Sequence, residues 1–330
     1  MDNKKIVPIR VENVANTMYN KLTHGTPSHA DWIVVNWCIG NFCNYSCSYC
    51  PSGLHNGSVM WPDKNVVKKF ITNVANHYFP KKVYFEFTGG EVTLWRHFAE
   101  ICQYCTEIGV KVGCISNASR TLRWWQENKQ FINHACLSFH PEHANPDHFI
   151  EIVKEVHLDL RTHVNIMMSP DKFDYCFDVA QRAVALGDIS IALQPLIHDF
   201  GDTLYDYTPE QLNIFDQQHE LCVKKIVYTK SFDYYRGAMK KVYADGTEVA
   251  SSAHRFISDK TNNWSGWKCY AGVEQLVVDM DGTIYRGWCK VGNNIGHIND
   301  TILQLPSGPI ICNKTMCHCN FDIMSTKERI

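Results

Sequence analysis

The sequence predicts an α/β chain, with a parallel sheet built from six β-then-α units and a small C-terminal cysteine-rich β-hairpin module. Two patterns carry that prediction. Short apolar runs rich in β-branched and aromatic residues recur at 31–39, 83–88, 110–116, 135–140, 162–168 and 189–196, with helix-length segments between them. From residue 264 the pattern becomes two apolar strands around an Asp-Gly turn at Asp281-Gly282, bracketed by cysteines.

The first helix is expected from Asp63 to Tyr78, opening on a Pro-Asp start signal, with Val66, Val67, Phe70, Ile71 and Val74 near helical spacing. Further helices are expected near 94–108, 121–132, 146–158, 173–186 and 209–223. Such a succession implies parallel strands joined by right-handed crossovers. The expected layout is an N-terminal extension over 1–30, an α/β body over 31–230, a bridging segment over 231–263 and the module over 264–330. The aromatic stretch SFDYYRGAMKKVY is expected to pack body against module.

Composition narrows the function classes. At 330 residues and 45% hydrophobic content the chain has ample core. Lys+Arg 32 against Asp+Glu 34 gives net charge -2, which offers no electrostatic footprint for nucleic acid or an anionic membrane. The opening MDNKKIVPIRVENVANTMYN lacks an apolar signal core, and no later stretch approaches a membrane span, so a cytoplasmic protein is expected. Fifteen cysteines without an export signal argue for metal ligation over disulfides.

Cys43, Cys47 and Cys50 form a CxxxCxxC array in NFCNYSCSYCPSG. A cubane 4Fe-4S cluster takes four thiolates, so three close ligands leave one iron open to a small molecule. Zinc sites usually pair CxxC units, and two-cluster ferredoxins use CxxCxxC; neither matches a three-residue first gap. One βα unit later, Thr88-Gly89-Gly90-Glu91-Val92-Thr93 ends an apolar run. Glycines there let backbone carbonyls approach a ligand, and Glu91 offers negative charge to an ammonium; the plain alternative is a strand-to-helix turn that needs glycine.

The cysteine array and the GGE segment together resemble the radical S-adenosylmethionine (radical SAM) superfamily. That resemblance implies a partial (β/α)6 TIM-type barrel over 31–230. It also implies a 4Fe-4S cluster on Cys43, Cys47 and Cys50 whose open iron chelates SAM, with Gly89, Gly90 and Glu91 at the amino end of SAM. Reductive cleavage to a 5'-deoxyadenosyl radical, then hydrogen abstraction from substrate, is the implied chemistry, with a reductant such as flavodoxin or ferredoxin. Ser116 and Asn117, at the end of the third strand, resemble the family position that meets the ribose; the bland reading of Asn117 is a helix cap. Ser138 and His140 share one strand face, as do Ala192, Gln194 and Leu196, so each set can point into a barrel mouth; Asn165 and Met167 share a face of the fifth strand, without the adenine-contact pattern sometimes recognisable there in the family. For His140 the bland reading is a hydrogen-bonded barrel histidine. The acting catalytic residue is not legible.

Cys269 and Cys289 bracket the hairpin, and Cys312, Cys317 and Cys319 follow in ICNKTMCHCNFD. This arrangement resembles the Twitch and SPASM modules of radical SAM enzymes. Five cysteines fit one auxiliary 4Fe-4S cluster better than two, with a structural zinc site as the alternative. Cys102 and Cys105 form a CxxC within a predicted helix, where ordinary core thiols are expected; Cys38, Cys114, Cys136, Cys176 and Cys222 have the same reading. Cys38, Cys114 or Cys136, in predicted strands, could face a radical as a hydrogen-atom donor. The expected substrate is a small molecule or a peptide, and the short stretch before the first strand favours the small molecule or a separate recognition protein. The competing class is a non-enzymatic iron-sulfur or zinc protein that uses the barrel as an electron-transfer or binding scaffold.

Overall fold

A computed structural model describes residues 19–187, 189–198, 203–222 and 238–330. The chain opens on β1 (Lys21–His24) and β2 (Trp32–Cys38), then alternates through α1 (Lys64–Tyr78), β3 (Lys82–Thr88), α2 (Phe98–Glu107), β4 (Lys111–Ser116) and α3 (Leu122–Asn128). The same alternation continues with β5 (His134–Phe139), α4 (Pro146–Val156), β6 (Arg161–Met168), α5 (Phe173–Val184), β7 (Ser190–Pro195) and α6 (Pro209–Cys222). Strands β2 to β7 lie side by side in sequence order and every pair is parallel, the topology of a partial (β/α)6 barrel. Among the described residues no helix is long and apolar enough to cross a membrane.

Alternation along the strands explains the layering. Ile33, Val35 and Trp37 of β2 and Phe85 and Phe87 of β3 face the helices, where Trp37 meets Phe70 of α1 edge to face at 5.3 Å. Asp63 caps α1 by accepting from the backbone N–H of Asn65 and Val66. The opposite strand face lines the barrel interior and is polar. There Asn36 donates to Glu86 at 2.9 Å, and the Tyr84 hydroxyl lies 3.3 Å from Glu86 and 3.2 Å from His134 Nδ1. Tyr84 crosses β4 at Gly113, where a Cβ would stand 2.0 Å from its hydroxyl oxygen.

Two helices differ from expectation. The segment near 94–108 begins as a 3-10 turn at Val92–Leu94, and α2 starts only at Phe98, because Glu91 turns back to cap the short turn through Thr93 N. The segment near 121–132 splits into α3 and a 3-10 turn at Lys129–Phe131.

The remaining elements are β8 (Ala238–Val242), β9 (Glu248–Ser252), α7 (Ala253–Ser258), β10 (Lys268–Cys269), β11 (Gln275–Val278), β12 (Thr283–Tyr285), β13 (Asn294–His297), β14 (Ile310–Ile311), α8 (Asn320–Ile323) and β15 (Lys327–Glu328). Of the expected bridging segment, 231–237 lies outside the described residues, as do 1–18 of the expected N-terminal extension. The hairpin at Asp281-Gly282 forms, pairing Val277 with Tyr285 and Val278 with Ile284, and Gly282 supplies φ +87°.

β11 pairs in parallel with β2, from Gln275 against Val34 to Val278 against Trp37, so the hairpin extends the barrel sheet instead of standing apart. Cys269 does not sit at the hairpin's open end; it belongs to β10 in a second sheet of order β14-β10-β15-β1-β8-β9. That sheet weaves the N-terminal β1 between β15 and β8, and the buried pair His24–Glu274, 3.1 Å apart, joins it to the entry of β11.

Removing residues 264–330 therefore strips a strand from the barrel. Leu276, Val277 and Val278 are fully buried, at roughly 1.5–3 kcal/mol each, a large part of the ~5–15 kcal/mol that stabilises a typical domain. A chain ending at Asn263 is expected to lose cooperative thermal unfolding by far-UV circular dichroism. A cooperative transition at the full-length temperature would contradict this account of the sheet.

Candidate functional site

The three cysteines of the array lie on the loop that leaves β2. Asn41, 1% exposed, fastens this loop: its Nδ2 donates to Gly53 O, Asn56 Oδ1 and Ser58 Oγ at 2.8–3.0 Å, and its Oδ1 accepts from Val59 N at 2.8 Å. Sequence reasoning missed Asn41, since only the fold shows how many loop groups converge on it. Cys50 N donates to Cys47 O at 3.0 Å, closing a tight turn between the two cysteines.

The end of β3 locks onto that loop. Gly90 N donates to Gly40 O at 2.9 Å and Glu91 N to Phe42 O at 2.7 Å. A Cβ at Gly89 would stand 2.1 Å from Gly40 O, and one at Gly90 2.1 Å from Phe42 O. These glycines thus serve backbone-to-backbone contact with the cysteine loop, in addition to lining a cavity.

Glu91 ties the end of β3 to the end of β4. It is fully buried, and its carboxylate points into the protein: Oε1 accepts from Thr93 N at 3.1 Å, Thr93 Oγ1 at 2.5 Å and Ser116 Oγ at 2.8 Å, while Oε2 accepts from Asn117 N at 2.6 Å. Burial raises its pKa, and the four hydrogen bonds lower it in part. Asn117 continues the chain of contacts, donating from Nδ2 to Asn44 Oδ1 at 3.0 Å, with Cys43 Sγ at 3.7 Å.

Cys43, Cys47, Cys50, Gly89, Gly90, Ser116 and Asn117 all line one cavity of about 380 Å³ at the carboxyl ends of the strands. Ser138, His140, Asn165, Met167, Gln194 and Leu196 line it as well; Ala192 does not. Neither Cys38, Cys114 nor Cys136 reaches it, and Cys102, Cys105 and Cys176 are fully buried core thiols. The side chain of Cys222 falls outside the described part of the structure. Three free thiols line the cavity together with Gly89 and Gly90, and among the described residues no fourth cysteine lines it. This donor set fits a four-iron cluster with one iron open. Burial pushes the Cys47 thiol up to about 12 and raises those of Cys43 and Cys50, so metal binding here must release protons.

An aromatic wall stands beside the thiols. The Tyr49 ring stacks on His140 at 6.0 Å, with the hydroxyl 2.9 Å from Nδ1. Burial, and secondarily the neighbouring His143, lowers the His140 pKa to about 4, leaving a neutral ring at pH 7. Cys47, Glu142 and His143 also bring ligand atoms within 4.8 Å of one another. That grouping competes with the three-thiol set for Cys47, and Glu142 is already engaged by Ser48 N at 2.8 Å and Ser48 Oγ at 2.5 Å.

In the tail, Cys269, Cys289, Cys312 and Cys317 face one small enclosed space of about 10 Å³ together with Trp264, Asp322 and Lys327. Cys319 does not line it: its Sγ caps α8, accepting from Asp322 N at 3.4 Å. Of the five expected tail ligands, four converge. Burial pushes the Cys289 thiol up to about 12 and raises Cys269 and Cys317 as well.

Residues 37–188 match the family model described as the Radical SAM superfamily. No curated protein matches the chain. Among solved structures, Streptococcus suis SuiB is 12% identical at a TM-score of 0.50, with 83% of this chain and 63% of that one covered. SuiB bound to S-adenosylmethionine matches at TM-score 0.51, also 12% identical, with 83% of this chain and 63% of that one covered. Native anSMEcpe with bound AdoMet matches at 0.50, 18% identical, over 82% of this chain and 78% of that one. The chain thus spans under two thirds of SuiB, and at these identities the likeness is one of fold.

Two outcomes follow from this geometry. Glu91→Gln sets an amide N–H₂ against hydrogen-bond donors, so a loss of ~1–3 kcal/mol in chemical denaturation is expected; unchanged stability would contradict the four-bond role. His140 has a folded pKa below its ordinary 6.5, so its neutral form contributes stability above pH 6.5 that is lost as pH falls toward 4. The melting temperature should drop across that window, and His140→Asn should flatten part of the drop in a pH series of thermal melts.

Proposed function

We propose, from the family match at 37–188, that this chain is an enzyme that cleaves SAM reductively at a cluster held by Cys43, Cys47 and Cys50. The observation that carries the reading is three thiols, without a fourth cysteine among the described residues, in a cavity that Gly89 and Gly90 also line. When bound, cluster and SAM supply an adenosyl radical that takes a hydrogen atom from an unactivated C–H bond. The chain's own residues do the positioning. Gly89 and Gly90 bring backbone to the cavity wall, and Ser116 and Asn117, held by Glu91, offer a hydroxyl and an amide that suit a ribose diol. Tyr49 and neutral His140 give a flat surface for a ring and exclude water beside the thiols.

Asn165 and Gln194 line the same cavity from the far strands and are the groups we assign to substrate. SuiB has been seen bound to its precursor peptide SuiA; a peptide or a small molecule is the substrate class we propose here, with a flavodoxin or ferredoxin as reductant. In the tail, Cys269, Cys289, Cys312 and Cys317 are assigned to one auxiliary 4Fe-4S cluster in a Twitch/SPASM-like module. A zinc ion is the second reading, since four thiolates in a small module also suit zinc.

Anaerobically reconstituted protein given SAM and dithionite should release 5'-deoxyadenosine, and changing Cys43, Cys47 and Cys50 together to Ala should lower that release at least ~100-fold. Undiminished cleavage in the triple variant would exclude the assignment. Metal analysis should find about eight irons per chain; about four irons with one zinc would decide for zinc in the tail.

A further inference from the structure

Lys327 is a lysine that the tail buries beside its thiols. It is 2% exposed, yet belongs to a residue type that is almost never enclosed without a partner. Its Nζ donates to three backbone carbonyls, Asp322 O at 2.8 Å, Ile323 O at 2.9 Å and Ser325 O at 2.9 Å, which uses all three hydrogens of an ammonium. It also lies over the Trp264 ring at 4.8 Å. None of these partners carries a negative charge.

The buried Asp322 carboxylate that lines the same space is engaged elsewhere. Asp322, 3% exposed, spends its oxygens on Gln275 Nε2 at 2.9 Å, Trp288 N at 3.0 Å and Cys289 N at 2.6 Å, and so adds negative charge to the same enclosure. Lys327 and Asp322 both line the space that Cys269, Cys289, Cys312 and Cys317 share; Lys314, which also lines it, is only half-buried. Four thiolates outweigh the charge of either a zinc ion or a four-iron cube, so a metal-loaded site is a buried anion in need of a buried cation.

We propose that Lys327 is the charge partner of the tail metal site, a positioning and tuning residue that stabilises the anionic thiolate-metal group. This rests on the tail thiols holding metal, as proposed above. A cation held in low dielectric favours added negative charge, so with iron in the site Lys327 raises the reduction potential.

The test compares wild type with Lys327→Gln, which keeps hydrogen-bond donors for the carbonyls while removing the charge, and with Lys327→Arg, which keeps the charge. Far-UV circular dichroism and metal content establish that each variant is folded and loaded. With iron in the tail, a redox titration followed by electron paramagnetic resonance should show the reduced-to-oxidised ratio of the auxiliary cluster at least tenfold lower in Lys327→Gln at fixed poise, ~59 mV for one electron. The three-thiolate cluster should not move, and Lys327→Arg should return toward wild type. An unchanged auxiliary potential in Lys327→Gln overturns the inference and leaves the cluster reading standing. With zinc in the tail the cluster reading fails instead, and the inference is read from chelator competition, where tenfold weaker zinc retention in Lys327→Gln supports it and equal retention overturns it. A loaded barrel site with no metal in the tail overturns both.

Discussion

The buried Glu91 carboxylate is the constraint on which the candidate site depends. It joins the end of β3, through Thr93, to the end of β4, through Ser116 and Asn117. Asn117 then reaches Asn44 on the cysteine loop, and the glycines before Glu91 take the carbonyls of Gly40 and Phe42 at contact distances that exclude a Cβ. Three segments distant in sequence are held in one arrangement by a charge that water never touches. In a low-dielectric surrounding, a fully satisfied carboxylate is rigid because any displacement leaves donors unpaired. That rigidity is what cofactor chemistry needs, since a misplaced cavity wall costs far more than the hydrogen bond it loses.

The second constraint is the interleaving of the two sheets. β11 runs beside β2, so the tail thiols are tied to the same strand whose end leads into the cysteine loop. Trp288, next to Cys289, donates from Nε1 to Asn36 Oδ1 at 3.2 Å, and Asn36 in turn donates to Glu86 in the barrel interior. The tail is thus part of the wall of the barrel.

Much of this was legible in the amino-acid order because the signals were local. The six βα units, the Asp281-Gly282 turn and the three thiols on one loop follow from periodicity and spacing that neighbouring residues enforce. What was hidden depends on contacts between distant segments. β1, β8 and β15 are too short to give a pattern, and their pairing into one sheet needs the whole fold. The four hydrogen bonds that Glu91 accepts could not be read from the motif. The separation of Cys319 from the other tail cysteines turns on its place at the start of α8, whose four residues carry little helical signal. Asn41 and Lys327 look like ordinary loop and surface residues until their partners are seen.

The central claim is that three thiolates leave one iron open to the amino and carboxylate groups of SAM. Electron-nuclear double resonance of the reduced three-thiolate cluster with SAM labelled by nitrogen-15 at the amino group and oxygen-17 at the carboxylate tests it most directly. The account predicts hyperfine coupling from both labels, and its loss in the triple cysteine variant. A reduced cluster that shows neither coupling while SAM is bound to the protein would contradict it.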